Sequence, residues 1–138
     1  MRRRPFLFVP LCLVLCASCK STPPRMLVFF NPNSAALDDP ARGIVRDASA
    51  VAQAKPSTTV WVLGFAPPKT GTAESNKALA QARAQSVADG LVAAGVPQTR
   101  IRIEPWRAMP YGLTPTESRR VEIVVGQNLL GLTFLGCC

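Results

Sequence analysis

The chain contains no histidine, and its one Cys-x-x-C spacing, from Cys16 to Cys19, lies in the N-terminal segment rather than in the body of the chain. Its few serines have no recognisable base beside them in the sequence. Imidazole and thiolate groups are the main protein ligands of zinc and copper. Histidine is also the commonest general base in nucleophilic catalysis. The eight acidic residues are scattered without the spacing of a glycosidase pair. We therefore expect neither an enzyme nor a protein that depends on a metal or a cofactor.

Long apolar runs are also missing from most of the chain. After the first 19 residues no run reaches the roughly 18 apolar residues that suggest a membrane-spanning helix. The 138 residues are enough for one compact domain. We expect a single domain with no transmembrane helix after its N-terminal segment.

The first 18 residues have the pattern of an export signal. Arg2, Arg3 and Arg4 form a basic start, and the apolar run over 5–15 is too short to span a bilayer. Small residues then precede Cys19, as a lipoprotein signal peptidase requires, although Cys16 stands where an aliphatic residue is usual. We predict a lipoprotein-type signal peptide over 1–18 and lipidation of Cys19. The alternative is an ordinary secretory signal that is cleaved nearby.

The export signal also changes how the net charge is interpreted. Its removal takes away three of the sixteen basic residues and none of the eight acidic ones, so the charge falls from +8 to +5. Export argues against nucleic acid as a partner. Acidic envelope components, such as wall polymers or anionic lipid headgroups, suit a basic exported protein. Lys20 follows the lipidation site where enteric lipoproteins kept at the inner membrane carry Asp, which favours the outer membrane.

The last residues, 126–138, form an apolar extension that ends in Cys137 and Cys138. Adjacent cysteines bridge each other only through a strained ring. Bonds to a partner chain and free thiols are the other two interpretations. The apolar residues of the extension either cap the core as an extra strand or dock on a partner protein.

Hydrophobic periodicity between these two ends predicts four strands and two helices. The strands are expected at 26–30, 58–65, 100–104 and 119–125, and the first of them is expected to be buried on both faces. One helix follows the capping residues Asp38 and Asp39 and ends at Lys55, and the other runs over 75–94 to a stop at Gly95. This order, βαβαββ, predicts an α+β two-layer sandwich with a mixed sheet and both helices on one face. Residues 19–25 would form the anchor and linker, and 26–125 the domain.

Four sequence pieces resemble the OmpA-like family (the OmpA, MotB and Pal C-terminal type) of peptidoglycan-associated domains. They are VFFNPNSAAL near the start, Asn76-x-x-Leu79-x-x-x-Arg83-Ala84, Gly95-Val96-Pro97-x-x-Arg100-Ile101, and Arg119-Arg120-Val121-Glu122-Ile123. The resemblance spans about 100 residues, and its strength is that the four pieces occur in the right order and spacing. It implies the same sandwich fold and a non-catalytic site for the peptide stem of peptidoglycan.

The resemblance also implies which residues hold the ligand. In the family an Arg on the second helix binds the carboxylate of diaminopimelate, and an Asp after the second strand binds its ammonium. The Arg position is Arg83, and Asn76 lies on the same helical face two turns earlier. Asn31 and Arg119 match further contact positions. Without the resemblance, Arg83 would be interpreted as a surface arginine, Asn76 as a helix cap or loop amide, and Arg119 as a solvated strand end.

The chain departs from the family where the negative charge belongs. The Asp position falls on Pro67 or Pro68, the His and Thr positions hold Phe65 and Ala66, and the acidic residue of the first loop is Asn31. The asparagine before the arginine pair is replaced by Ser118. Glu74 is the nearest candidate for a substitute carboxylate. The predicted site therefore keeps its positive pole and lacks its negative one.

Two functions fit this sequence. The first is a lipoprotein that tethers the outer membrane to peptidoglycan, with weakened or altered stem recognition. The second is a scaffold subunit of an envelope assembly, such as a secretion or motility machine, that no longer binds diaminopimelate. The lost Asp and the apolar extension with its two terminal cysteines favour the second.

Overall fold

Four strands and two α-helices make up the part of the chain that the computed structural model describes, which is residues 23–65, 71–104, 114 and 116–127. The elements are β1 (Arg25–Phe29), α1 (Asp39–Ala54), β2 (Thr59–Gly64), α2 (Ala73–Ala93), β3 (Ile101–Glu104) and β4 (Arg120–Gly126), with a short 3-10 helix at Gln98–Arg100. Order and type agree with the sequence prediction, and the α+β sandwich with a mixed sheet is confirmed. No helix among these residues is long and apolar enough to cross a membrane.

The last strand lies inside the sheet rather than at its edge. The strand order is β1-β4-β2-β3, with β4 antiparallel to both β1 and β2, and β2 parallel to β3. The sequence predicts the mixed directions but not this insertion of β4 between the first two strands. As a result, the ends of β1 and β2 and the start of β4 meet at one end of the sheet. The loops that carry the predicted site residues leave from that end.

Both helices pack on one face of the sheet through small side chains. The buried face of α1 includes Ala41, Val45, Ala48 and Ala52, and that of α2 includes Ala80, Ala84, Val87 and Leu91. At Gly64, a Cβ atom would clash with the Ala80 carbonyl oxygen and lie only 2.9 Å from its carbon. Helix α2 therefore rests directly on the end of β2, which brings the side chain of Arg83 to the site end of the sheet.

Local capping signals fix the ends of the helices. The Asp38 carboxylate accepts a hydrogen bond from the Ala41 N–H at 2.9 Å, and the Thr72 hydroxyl accepts one from the Ser75 N–H at 3.1 Å. Gly95 adopts φ +97° after α2, and the following Val96 N–H donates to the Leu91 carbonyl at 3.0 Å. This is the glycine-terminated helix end that the sequence predicts.

The prediction that β1 is buried on both faces is wrong. Val28 is fully buried against the helices, whereas Leu27 and Phe29 are 37% and 42% exposed on the opposite face. β1 is an edge strand, and both described helices lie on the other side of the sheet. A short apolar run fits a half-exposed edge strand as well as a buried one, and only the strand order distinguishes them.

Candidate functional site

Arg83 lies at the centre of the predicted site, with its side chain fully buried. Its Nε donates to the Ser34 carbonyl at 2.8 Å, and one terminal nitrogen donates to the Asn31 carbonyl at 3.2 Å. The other terminal nitrogen makes a longer contact of 3.5 Å with the Phe65 carbonyl. The guanidinium therefore joins the loop after β1 to the residue that follows β2.

Among the described residues, the surroundings of Arg83 are short of negative charge. Burial, together with the positive charge of Arg119, lowers the pKa of Arg83 to about 10. The group therefore stays protonated at neutral pH. Its compensation comes from carbonyl dipoles and from the ring of Phe30, whose centroid lies 5.4 Å from the guanidinium carbon.

Arg119 brings a second guanidinium to the same end of the sheet. Its Nε donates to the Phe30 carbonyl at 3.2 Å, and the Phe30 N–H donates to the Arg119 carbonyl at 2.9 Å. A terminal nitrogen also lies 3.4 Å from the Thr116 hydroxyl. Arg119 is half-buried, so part of its side chain reaches solvent while Arg83 beneath it does not.

Phe65, which the resemblance aligns with the family's histidine, is built into the framework of this site. Its side chain is 7% exposed, and its ring centroid lies 5.1 Å from the guanidinium carbon of Arg120. Its N–H donates to the Arg120 carbonyl at 3.0 Å. Arg120 in turn holds the buried Glu122 carboxylate at 2.8 Å, and Arg25 approaches the same carboxylate at 3.1 Å. Arg120 and Arg25 therefore neutralise the charge of Glu122 on the face of the sheet opposite the helices.

The two asparagines of the predicted site differ in how they reach it. Asn31 is exposed and contacts Arg83 through its backbone carbonyl rather than its side chain. Asn76 is 3% exposed on the same buried face of α2 as Arg83, and its Oδ1 lies near Gly71, 3.9 Å from where a Cβ atom would stand. Seven helical residues separate it from Arg83, a rise of about 10 Å. The structure therefore brings Arg83, Asn31 and Arg119 together and leaves Asn76 two turns away.

Within the described ranges, no carboxylate forms an ion pair with Arg83 or Arg119. Glu74 is exposed in the first turn of α2, and Glu117 is bound by Thr114, whose hydroxyl and N–H both donate to it. The hydroxyl of Ser118, which the resemblance aligns with the family's asparagine, is buried and donates to the Thr114 carbonyl at 3.0 Å. Pro67 and Pro68, like Cys19, Cys137 and Cys138, lie outside the described residues.

Sequence reasoning missed the backbone acceptors of the site. The carbonyls of Ser34, Phe30 and Phe65 hold the two arginines, and a carbonyl group carries no residue-type signal. The one hint in the sequence was the aromatic residue that follows each of two strands, Phe30 after β1 and Phe65 after β2, since a ring can stack on a guanidinium. Where the structure is described, no group of three metal-ligating side chains occurs.

Comparison with known proteins identifies the family. The OmpA family profile matches residues 29–119, about two thirds of the chain. The chain therefore belongs to the OmpA family. No curated protein is similar enough to this chain to count as a match.

Several solved structures share the fold. The peptidoglycan-associated lipoprotein from Burkholderia pseudomallei is 22% identical with a TM-score of 0.64, covering 72% of this chain and 89% of its own. The OmpA-like domain of FopA1 from Francisella tularensis is 22% identical with a TM-score of 0.65, covering 75% and 71%. The periplasmic domain of Helicobacter pylori MotB is 18% identical with a TM-score of 0.62, covering 82% of each chain. At these identities the likeness shows the fold alone.

Proposed function

We propose that this chain is an outer-membrane lipoprotein, anchored through Cys19 and facing the periplasm, whose domain binds peptidoglycan and tethers the membrane to the wall. Family membership supports peptidoglycan as the ligand. The observation that carries the proposal is the pair of guanidiniums, Arg83 and Arg119, at the loop end of the sheet without a paired carboxylate in the described part. A lipid anchor and a wall-binding domain on one chain raise the effective concentration at both surfaces.

The stem carboxylate would first meet Arg119. Of the five N–H donors of that guanidinium, the described contacts use two, and the side chain is partly exposed. Arg83 also has two N–H groups beyond its three contacts, but its side chain is sealed from solvent. A ligand carboxylate reaches Arg83 only after the covering groups move. Arg119 is therefore the outer contact of the proposed site and Arg83 the inner one.

Recognition of the opposite, ammonium end of the ligand should be weak. Loss of one partner of a charge pair costs about 2–4 kcal/mol, which is roughly 30- to 1000-fold in affinity. Pro67 and Pro68 stand where the family has its Asp, and proline offers neither charge nor an N–H. An altered stem peptide, such as one whose amino end is acylated and carries no charge, suits such a site better than free diaminopimelate.

A second function, a scaffold in an envelope assembly, is favoured by one observation. Arg83 is fully buried and its guanidinium already contacts three carbonyls, so in this state it joins parts of the domain and does not reach a ligand. An OmpA-like domain whose arginine had become structural would keep its shape after losing wall binding. The partner in that case would be another envelope protein.

Pelleting with intact peptidoglycan sacculi distinguishes the two functions. We expect the chain from residue 20 onward to pellet with sacculi, and Arg119→Ala to weaken binding roughly 10- to 100-fold through loss of a charge-assisted contact. Arg102→Ala is the matched control, because Arg102 is exposed on the distant strand β3. Failure of the unmodified chain to pellet would reject wall binding and favour the scaffold. Labelled palmitate incorporation that is lost in Cys19→Ala tests the anchor.

A further inference from the structure

The side of the Arg83 guanidinium that suits a carboxylate is already occupied by the chain itself. The N–H bonds of Nε and Nη2 point the same way, and such a pair can hold the two oxygens of a carboxylate with parallel hydrogen bonds. Here Nε donates to the Ser34 carbonyl at 2.8 Å, and Nη2 donates to the Asn31 carbonyl at 3.2 Å. Two backbone oxygens therefore stand where the two oxygens of a ligand carboxylate would bind.

Both carbonyls belong to one tight turn, residues 31–34. The Ser34 N–H donates to the Asn31 carbonyl at 3.2 Å, which closes the turn. Pro32 is the second residue of the turn, and Asn33, at φ +51°, is the third. Proline at the second position and a positive φ at the third are features of a type II turn. The local sequence therefore builds the turn that covers Arg83.

The turn is a cover on the domain and not part of its core. Asn31, Pro32 and Asn33 are exposed, and within the described residues none of 31–34 belongs to the hydrophobic core. Displacing the turn would break its hydrogen bonds to Arg83 without removing an apolar side chain from that core. A carboxylate could replace both bonds with stronger ones, because donor and acceptor would then both be charged.

We propose that residues 31–34 are a gate, which occupies the guanidinium of Arg83 in the unbound protein and which a ligand carboxylate must displace in order to bind. The inference rests on the proposed function for its natural ligand, whereas the gate itself requires only a carboxylate. When a site is competent only while its gate is open, the apparent affinity falls in proportion to the open fraction. Residues that favour the turn therefore weaken binding.

Asn33 sets the balance between the closed and the open gate. Its positive φ is tolerated by asparagine and glycine but is strongly unfavourable for a β-branched residue. Asn33→Val should therefore open the gate. Asn33→Gly is the matched control, because glycine adopts the same conformation without a steric penalty and keeps the turn closed. The side chain of Asn33 is exposed, so neither change disturbs the core.

An NMR titration with acetate, a simple carboxylate probe, tests the gate on the full chain in detergent at constant ionic strength. The signal is the Arg83 Nε–H, which is identified by its loss in Arg83→Met. We expect the acetate midpoint to fall about 5- to 30-fold in Asn33→Val, which is the fold-change expected from the cost of a left-handed residue. It should stay within about threefold of the unmodified chain in Asn33→Gly.

Solvent exchange of the same N–H reports on the gate without any ligand. It should be about tenfold faster or more in Asn33→Val, because opening the turn exposes a buried group, while the amides of α2 stay protected in both variants. Equal exchange and equal acetate midpoints in the two variants would overturn the proposal. Weaker acetate binding in Asn33→Val would also overturn it, because the turn would then belong to the site rather than cover it.

Pelleting with sacculi separates the gate from the proposed function. If Asn33→Val pellets more strongly than Asn33→Gly, the gate controls access for the wall ligand. If Asn33→Val binds acetate more tightly and neither variant pellets, the gate is supported and peptidoglycan is rejected as its ligand.

Discussion

Replacing Arg83 with methionine measures how much the buried guanidinium stabilises the domain. The change keeps a long apolar side chain and removes the two shorter hydrogen bonds, to the carbonyls of Ser34 at 2.8 Å and Asn31 at 3.2 Å. Charge-assisted bonds of this kind contribute about 1.5–3 kcal/mol each, so the gross loss is about 3–6 kcal/mol. The variant also avoids burying a charge.

The lowered pKa of Arg83 indicates how much free energy the methionine variant saves by not burying a charge. The pKa of Arg83 falls from 12.5 to about 10 because of burial and the nearby Arg119. At about 1.36 kcal/mol per pKa unit, the relief is about 3 kcal/mol. We therefore expect a net loss of between zero and about 3 kcal/mol in the free energy of unfolding.

Urea unfolding followed by circular dichroism measures this difference. Arg46→Met is the control, because Arg46 is exposed on α1 and should change stability by less than about 0.5 kcal/mol. The Arg83 variant should show a lower midpoint with an unchanged slope. A variant clearly more stable than the unmodified chain would refute the reasoning, because the carbonyl contacts would then contribute less than the cost of burying the charge.

Three further predictions concern packing, charge and pH. Gly64→Ala should lower the free energy of unfolding by about 1–3 kcal/mol, because α2 lies too close to Gly64 for a Cβ atom. Gly43→Ala, with open space around it, should raise the free energy of unfolding by about 0.5–1 kcal/mol. Equal effects of the two substitutions in urea unfolding would contradict the close packing at Gly64. Glu122→Gln should cost about 2–4 kcal/mol in the same assay because it leaves two arginines without their shared carboxylate, and a neutral effect would show that the pair contributes nothing. Hydrogen bonds from Thr114 lower the pKa of Glu117, so the stability they add is present above the ordinary glutamate range and is lost as pH falls through the folded-state pKa. Thr114→Val should raise that pKa in an NMR titration, and an unchanged value would reject the contact.

Much of the fold follows from local sequence patterns. The alternation at β3, the capping residue Asp38 and the stop at Gly95 predict element types and ends to within about two residues of those observed. These signals are local because a strand or helix end is determined by residues that are neighbours along the chain. The order of four short motifs was enough to indicate the family, which the profile match confirms.

The site was only partly predictable. Arg83 and Arg119 were identified by the resemblance, and the structure places both at the same end of the sheet. Their roles in peptidoglycan binding stay predictions. The burial of Arg83 and its bonds to carbonyls could not be anticipated, because every residue carries the same backbone acceptor.

The sequence by itself determined the element order, the helix ends and the mixed strand directions, and its resemblance to the family predicts that the ammonium-binding position has no Asp. Only the tertiary structure decided that β4 lies between β1 and β2, that β1 is a half-exposed edge, and that Phe65 stacks on Arg120. The first group depends on residues close together along the chain. The second depends on contacts between distant residues, and the packing of the whole domain selects among several arrangements that satisfy the same local patterns.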